Sequence, residues 1–200
     1  DKLDAVLSDV SGDVSGHVLD LEDKNDVEAF FEEVGAFDHL VTPAATSMFA
    51  PIRDMDFGAA RSILESKQWG QMLSVHFGAK TIAQTGSITL FSGTVTQKPL
   101  PGATMFAAVG AATEASARIW GMELAPIRVN TVVPGIIATP VWPRLMGNDG
   151  AVQAQAGFAE TLPVGRIGTP EDVAHAVEFL INNSFVSGIS LVVDGGHRLI

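Results

Sequence analysis

The feature that most constrains this chain is an alternation. Short, nearly continuous apolar runs recur along it, and between them lie stretches whose apolar residues follow a helical period. The runs at 87–91 and 128–133 are rich in Ile, Leu, Val and Thr at consecutive positions, as strands covered on both faces of a parallel sheet must be. Residues 17–19, 39–41 and 189–193 read as further strands of the same kind. Val27, Phe30, Phe31 and Val34 form a helical stripe, and Val173, Ala176, Val177 and Leu180 form a second. The second opens with Thr169 as N-cap, Pro170 at the first helical position and Asp172 three residues after the cap. Gly35 suits the end of the first. The chain opens inside a helix, and longer helices are expected at about 56–83 and 103–124. Residues 140–165 have weak periodicity and read as a mobile flap with a short helix, a lid over a site. Strands alternating with helices make βαβ units. The expected fold class is therefore α/β, a Rossmann-like doubly wound parallel sheet in a single domain.

Composition removes several function classes. Twelve Lys and Arg against 23 Asp and Glu give a net charge of −11, which argues against a nucleic-acid partner, since phosphate contacts need clustered cations. Cysteine is absent, so disulfides, thiolate nucleophiles and Cys-ligated zinc are excluded. The five histidines show no close ligand spacing, and no metal is expected. No apolar run reaches the roughly 18 residues of a membrane span. A small-molecule substrate and a cytoplasmic location are the expectation, with targeting unreadable in a sequence that begins at Asp1.

Six segments carry a more specific signal. They are Asp20-Leu21 after a strand, residues 37–41, residues 86–92 ending in Ser92, residues 123–130, Pro134-Gly135-Ile136-Ile137-Ala138-Thr139, and residues 192–196. In this order and spacing the chain resembles the short-chain dehydrogenase/reductase family along essentially its whole length. The resemblance implies an oxidoreductase that uses NAD or NADP on a small carbonyl or alcohol. It also implies an opening strand, glycine-rich turn and helix that hold the cofactor pyrophosphate. No TGxxxGxG pattern occurs in these residues, so roughly 35 to 45 residues of the family's N-terminal βαβ pattern are expected to be missing from this sequence. Segment 17–19 then lacks its neighbour and 39–41 becomes an open sheet edge. Alternatively, 17–19 swings over to pair with 39–41.

The family pattern implies cofactor contacts. Asp20 and Leu21 take the adenine position, although Asp20 also suits a helix entry. Ala44 and Ala45, in Thr42-Pro43-Ala44-Ala45, replace the family's NNAG turn near the ribose. Pro134 and Gly135 make the turn that presents Ile137, whose backbone pairs with the nicotinamide carboxamide, and Thr139, whose hydroxyl meets phosphate. The resemblance implies that the residues separating NAD from NADP belong to the N-terminal pattern expected to be missing here, so that choice is not readable.

The catalytic pattern is altered. The family's Tyr and Lys positions fall on Phe106 and Gly110, and the chain holds no Tyr at all. The family's Asn position falls on Lys67, and Ser92 alone survives. Ser92 is therefore expected to orient the substrate, while Lys67 or water handles the proton that a Tyr would supply. The alternative is a catalytically inactive relative that binds nucleotide or acts as a scaffold. Ala107, Ala108, Gly110, Ala111, Ala112, Ala115 and Ala117 make a small-residue helix surface. In the family that helix packs on its copy in a neighbouring subunit, which implies a homodimer or homotetramer.

Overall fold

The computed structural model describes residues 2–44 and 48–200. Four parallel strands form its sheet, in the order β1 (Phe37–Thr42), β2 (Ile82–Phe91), β3 (Arg128–Pro134) and β4 (Ser190–Val193). β2 lies between β1, with Leu40 opposite Ile88, and β3, with Ile88 opposite Val129. Val132 of β3 faces Leu191 of β4. Ile88, Leu90, Val129 and Val132 are wholly buried, which is why their runs carry no polar alternation. Helices connect the strands in the Rossmann-like α/β manner: α2 (Lys24–Val34), α3 (Phe57–Ile63), α4 (Gly70–Gly78), α5 (Thr104–Glu123), α6 (Val141–Thr161) and α7 (Pro170–Asn182), after a short α1 (Lys2–Asp9).

The core has two parts. Val75, Ile82, Ile88, Leu90, Ala117, Ile127 and Val129 join α4 and α5 to the sheet. Val27, Phe31, Leu73 and Phe77 join α2 to α4, so the first helical stripe is a packing face. At the irregular start of the β1–β2 pairing, a Cβ on Gly86 would lie 2.3 Å from the Asp38 carbonyl oxygen. Only glycine fits that approach. α7 is tied to the sheet by the buried Arg128, whose guanidinium donates to the carbonyls of Leu180 (2.6 Å), Ile181 (2.9 Å) and Val186 (3.1 Å). Asn130 donates to Val186 O and accepts from Ile189 N. The approach to β4 is thereby fixed.

Three expectations are corrected. Residues 17–19 pair with no strand; Leu19 packs instead, with Leu21, on the α2–α4 cluster. Without a neighbouring ladder an extended segment is not a strand, and β1 is an open edge among the described residues. Residues 82–83 belong to β2, not to the preceding helix. Residues 140–165 are mostly helix, α6, interrupted at Gly147 where φ is 73° and ψ 168°. That helix buries only Ala151, so it has no apolar stripe to betray it.

Candidate active site

In a parallel α/β sheet, ligands bind beyond the carboxyl ends of the strands. Here Thr42, Ser92, Pro134 and Asp194 end or follow β1 to β4 along one edge. The candidate residues fall into three groups along it.

Beside β1 lies a groove lined by His17, Leu19, Leu21, Phe30, Leu40, Thr42, Ala44 and Gln71, among others. It brings Leu21 and Ala44 together. Asp20 is exposed next to it, where its carboxylate accepts the Glu22 N–H at 2.9 Å in a local turn, and the N-cap of α2 is Asp23. Ala45 lies outside the described residues.

Beyond β2 the candidate catalytic positions converge. α3 and α4 are separated by a π-helical turn, Leu64–Trp69, that carries Lys67. Such insertions are frequent at functional sites because they re-aim one side chain without ending the helix. Lys67 is half-buried, with Nζ 3.5 Å from the Ser92 carbonyl oxygen and 5.7 Å from the centre of the Phe106 ring. No carboxylate among the described residues lies within ion-pair distance of it. Burial pushes its pKa from 10.5 down to about 8, because an ammonium loses hydration here without gaining an anion. Phe106 stacks at 5.0 Å on Phe49. The position where a phenol is expected is thus aromatic and carries no proton.

Ser92 is buried, and its hydroxyl donates to Glu114 Oε1 at 2.6 Å. Thr96 donates to the same oxygen at 2.8 Å. A hydroxyl whose proton is held by a carboxylate can only accept from a third group. The absent side chain of Gly110 makes this possible, since a Cβ there would lie 2.7 Å from Ser92 Oγ and 2.8 Å from Thr96 Cγ2. Gly110→Lys, alone or with Phe106→Tyr, is therefore expected to displace Ser92 and to lower thermal stability. A thermal melt checks this, and an unchanged midpoint would contradict the packing argument.

Beyond β3, the Gly135 N–H donates to Val193 O at 2.9 Å, and a Cβ at 135 would sit 2.7 Å from Asp194 Cβ. Pro134 and Gly135 thereby lock the turn against β4. Residues 136–138 are zipped to Gly168: Gly168 N–H donates to Ile136 O and Ala138 N–H to Gly168 O. In this one-bridge parallel pairing the N–H and C=O of Ile137 point away from Gly168. The Thr139 side chain is half-buried two residues on.

Three groups went unread in the sequence. Gln71, buried on α4, accepts from Thr42 Oγ1 (2.9 Å) and Phe91 N (3.0 Å), and its Nε2 donates to Lys67 O (3.0 Å), joining the first two groups. Glu114 has a signal only once Gly110 is known to open space. Trp142, at the start of α6, donates from Nε1 to Ile137 O at 2.7 Å.

Comparison with known proteins bears on the fold and the family. A family model described as enoyl-(acyl carrier protein) reductase matches residues 1–198. An uncharacterized oxidoreductase of Methylorubrum extorquens is 31% identical over 198 residues, covering 97% of this chain and 76% of that protein. The 2-(S)-hydroxypropyl-CoM dehydrogenase 3 of Xanthobacter autotrophicus is 30% identical, covering 96% of this chain and 80% of its own length. Among solved structures, a small-chain dehydrogenase in complex with NADPH is 37% identical with a TM-score of 0.88, over 91% of this chain and 83% of that one.

Proposed function

The chain belongs to the short-chain dehydrogenase/reductase family, and from that membership we propose that it is an NAD(P)-dependent oxidoreductase acting on a small carbonyl or alcohol, with Lys67 in place of the family's Tyr. The observation that carries this reading is the unneutralised Lys67 ammonium at the end of β2, beside Ser92 and over Phe106.

The residues present fit a nicotinamide. Ile137 offers a backbone N–H and C=O pair turned away from Gly168, the pattern a carboxamide needs from one residue. Gly135 allows the turn that presents it, Thr139 follows with a hydroxyl for phosphate, and Leu21 and Ala44 line a groove beside β1 for the adenosine end. A bound nicotinamide supplies or accepts the hydride. The chain's residues manage the substrate oxygen. Lys67 donates a hydrogen bond to it and stabilises the negative charge that grows there during reduction. As an ammonium with a pKa near 8, it also holds a proton transferable at neutral pH. Ser92, fixed by Glu114, orients the oxygen by accepting from the hydroxyl form, and the paired Phe49 and Phe106 rings lie on this side. NAD and NADP remain equal choices in this reading.

Loss of NADH or NADPH fluorescence over a panel of small ketones and 3-oxo esters tests the activity. Turnover with at least one carbonyl is expected; substrate-independent oxidation alone would count against it. The assembly belongs to the same reading. Ile119 and Met122 are exposed on α5, in line with the exposed Ala108, Ala111 and Ala115, a face suited to a second copy. Ile119→Glu is expected to halve the sedimenting mass, whereas a wild-type monomer would remove the dimer from the account.

A further inference from the structure

The Trp142 indole makes a contact that the reading above does not use. Its N–H meets the Ile137 carbonyl at 2.7 Å, a short and well-made bond for an indole donor. The ring sits 5.8 Å from Phe158, near the far end of α6, and Phe158 meets the buried His197 edge-on at 6.1 Å. His197 is in turn 3.3 Å from Thr94 Oγ1, just beyond Ser92. Trp142 is thus held between the Ile137 turn and a small aromatic stack that reaches the catalytic group.

Ile137 is otherwise free on this side. Its neighbours bond to Gly168, and its own N–H has no acceptor among the described residues. Of the N–H and C=O pair, one half is open and the other is held by a side chain of the same chain. A primary amide binds such a pair by donating to the C=O and accepting from the N–H at once, lying in the plane of the peptide. An indole already seated on the C=O stands in that approach.

The backbone allows the indole to leave. α6 breaks at Gly147, whose φ of 73° is in the region that favours glycine, with no atom within 4 Å of where a Cβ would be. Residues 141–146 form a separate short helical piece that carries Trp142, and the part after Gly147 is anchored by the buried Ala151. A swing about Gly147 removes the indole without unpacking the anchored part.

We propose that Trp142 is a resident occupant of the amide-recognition pair at Ile137, and that residues 141–146 gate nicotinamide entry by moving about Gly147. The proposal rests on the cofactor assignment above. It makes Trp142 a self-inhibiting contact: the nucleotide must displace its bond, so apparent affinity falls below that of an ungated site.

Calorimetry and tryptophan fluorescence of the wild type and Trp142→Phe, titrated with NAD+ and NADP+, test it. Phenylalanine keeps a ring for Phe158 and deletes the donor. For the nucleotide the wild type prefers, Trp142→Phe is expected to bind about three- to tenfold tighter, the worth of one hydrogen bond. Saturation of the wild type is expected to shift its emission to longer wavelength, a change absent from Trp142→Phe, where Trp69 and Trp120 remain. Equal or weaker binding by Trp142→Phe would overturn the gate and leave the cofactor assignment standing. So would an unmoved wild-type emission at saturation. Absence of binding to both proteins would remove the cofactor assignment and the gate with it.

Discussion

Replacing Lys67 by methionine should lower kcat for carbonyl reduction about 10²–10⁴-fold, the range expected on losing a general acid, and should leave the nucleotide Kd nearly unchanged. The flexible stem over Phe106 survives the change, so the loss isolates the ammonium. In the wild type the reduction rate should fall as pH rises through about 8, where Lys67 loses its proton, and this limb should be absent from Lys67→Met. The sign for stability is opposite. Burial lowers the folded-state pKa from 10.5 to about 8, so between these values the unfolded chain binds more protons, and stability rises with pH across that window. Lys67→Met removes the buried charge and should melt higher than wild type near neutral pH, a gain in stability exchanged for activity. Rate–pH profiles and melting curves of the two proteins check both signs. Equal rates would remove Lys67 from the chemistry.

Arg128→Met should be the most destabilising single change considered. Arg128 is 7% exposed and has no acidic partner among the described residues. It serves three carbonyls, two of them in the last turn of α7, where the helix dipole favours a cation. Methionine fills much of the volume but leaves these oxygens buried and unpaired, a cost of about 3 kcal/mol or more. For a chain of this size that lowers the melting temperature by about 6–12 °C. Lysine offers one point charge where a fork reaches three acceptors, so Arg128→Lys should recover only part of the loss. Since Arg128 and Asn130 set the approach to β4, and Asp194 beyond β4 packs on Gly135, Arg128→Met should also weaken nucleotide binding. Thermal denaturation and calorimetry test the pair, and a midpoint within a degree or two of wild type would contradict the buried-carbonyl account.

What the sequence revealed follows from how locally each feature is encoded. β2, β3, α2 and α7 were legible because burial on both faces or on one stripe writes itself into consecutive residues, and α7 adds Pro170 and Asp172 at its start. The turn from Pro134 to Thr139 was legible because close packing of Gly135 on Asp194 demands glycine. Residues 17–19 have strand-like composition, but a strand is a relation between two segments, and no second segment lies beside them among the described residues. α6 was misread because its few buried residues leave no stripe. The π turn at Lys67 depends on how α3 and α4 meet the sheet, which no local period reports. Glu114 and Trp142 were invisible for the same reason: their partners, Ser92 and Ile137, are brought to them by tertiary packing.

The most direct test of the central claim is calorimetric titration of the protein with NAD+, NADH, NADP+ and NADPH. The account predicts micromolar binding of one nucleotide pair, weakened by Gly135→Val and retained by Lys67→Met. Failure of all four to bind would contradict it.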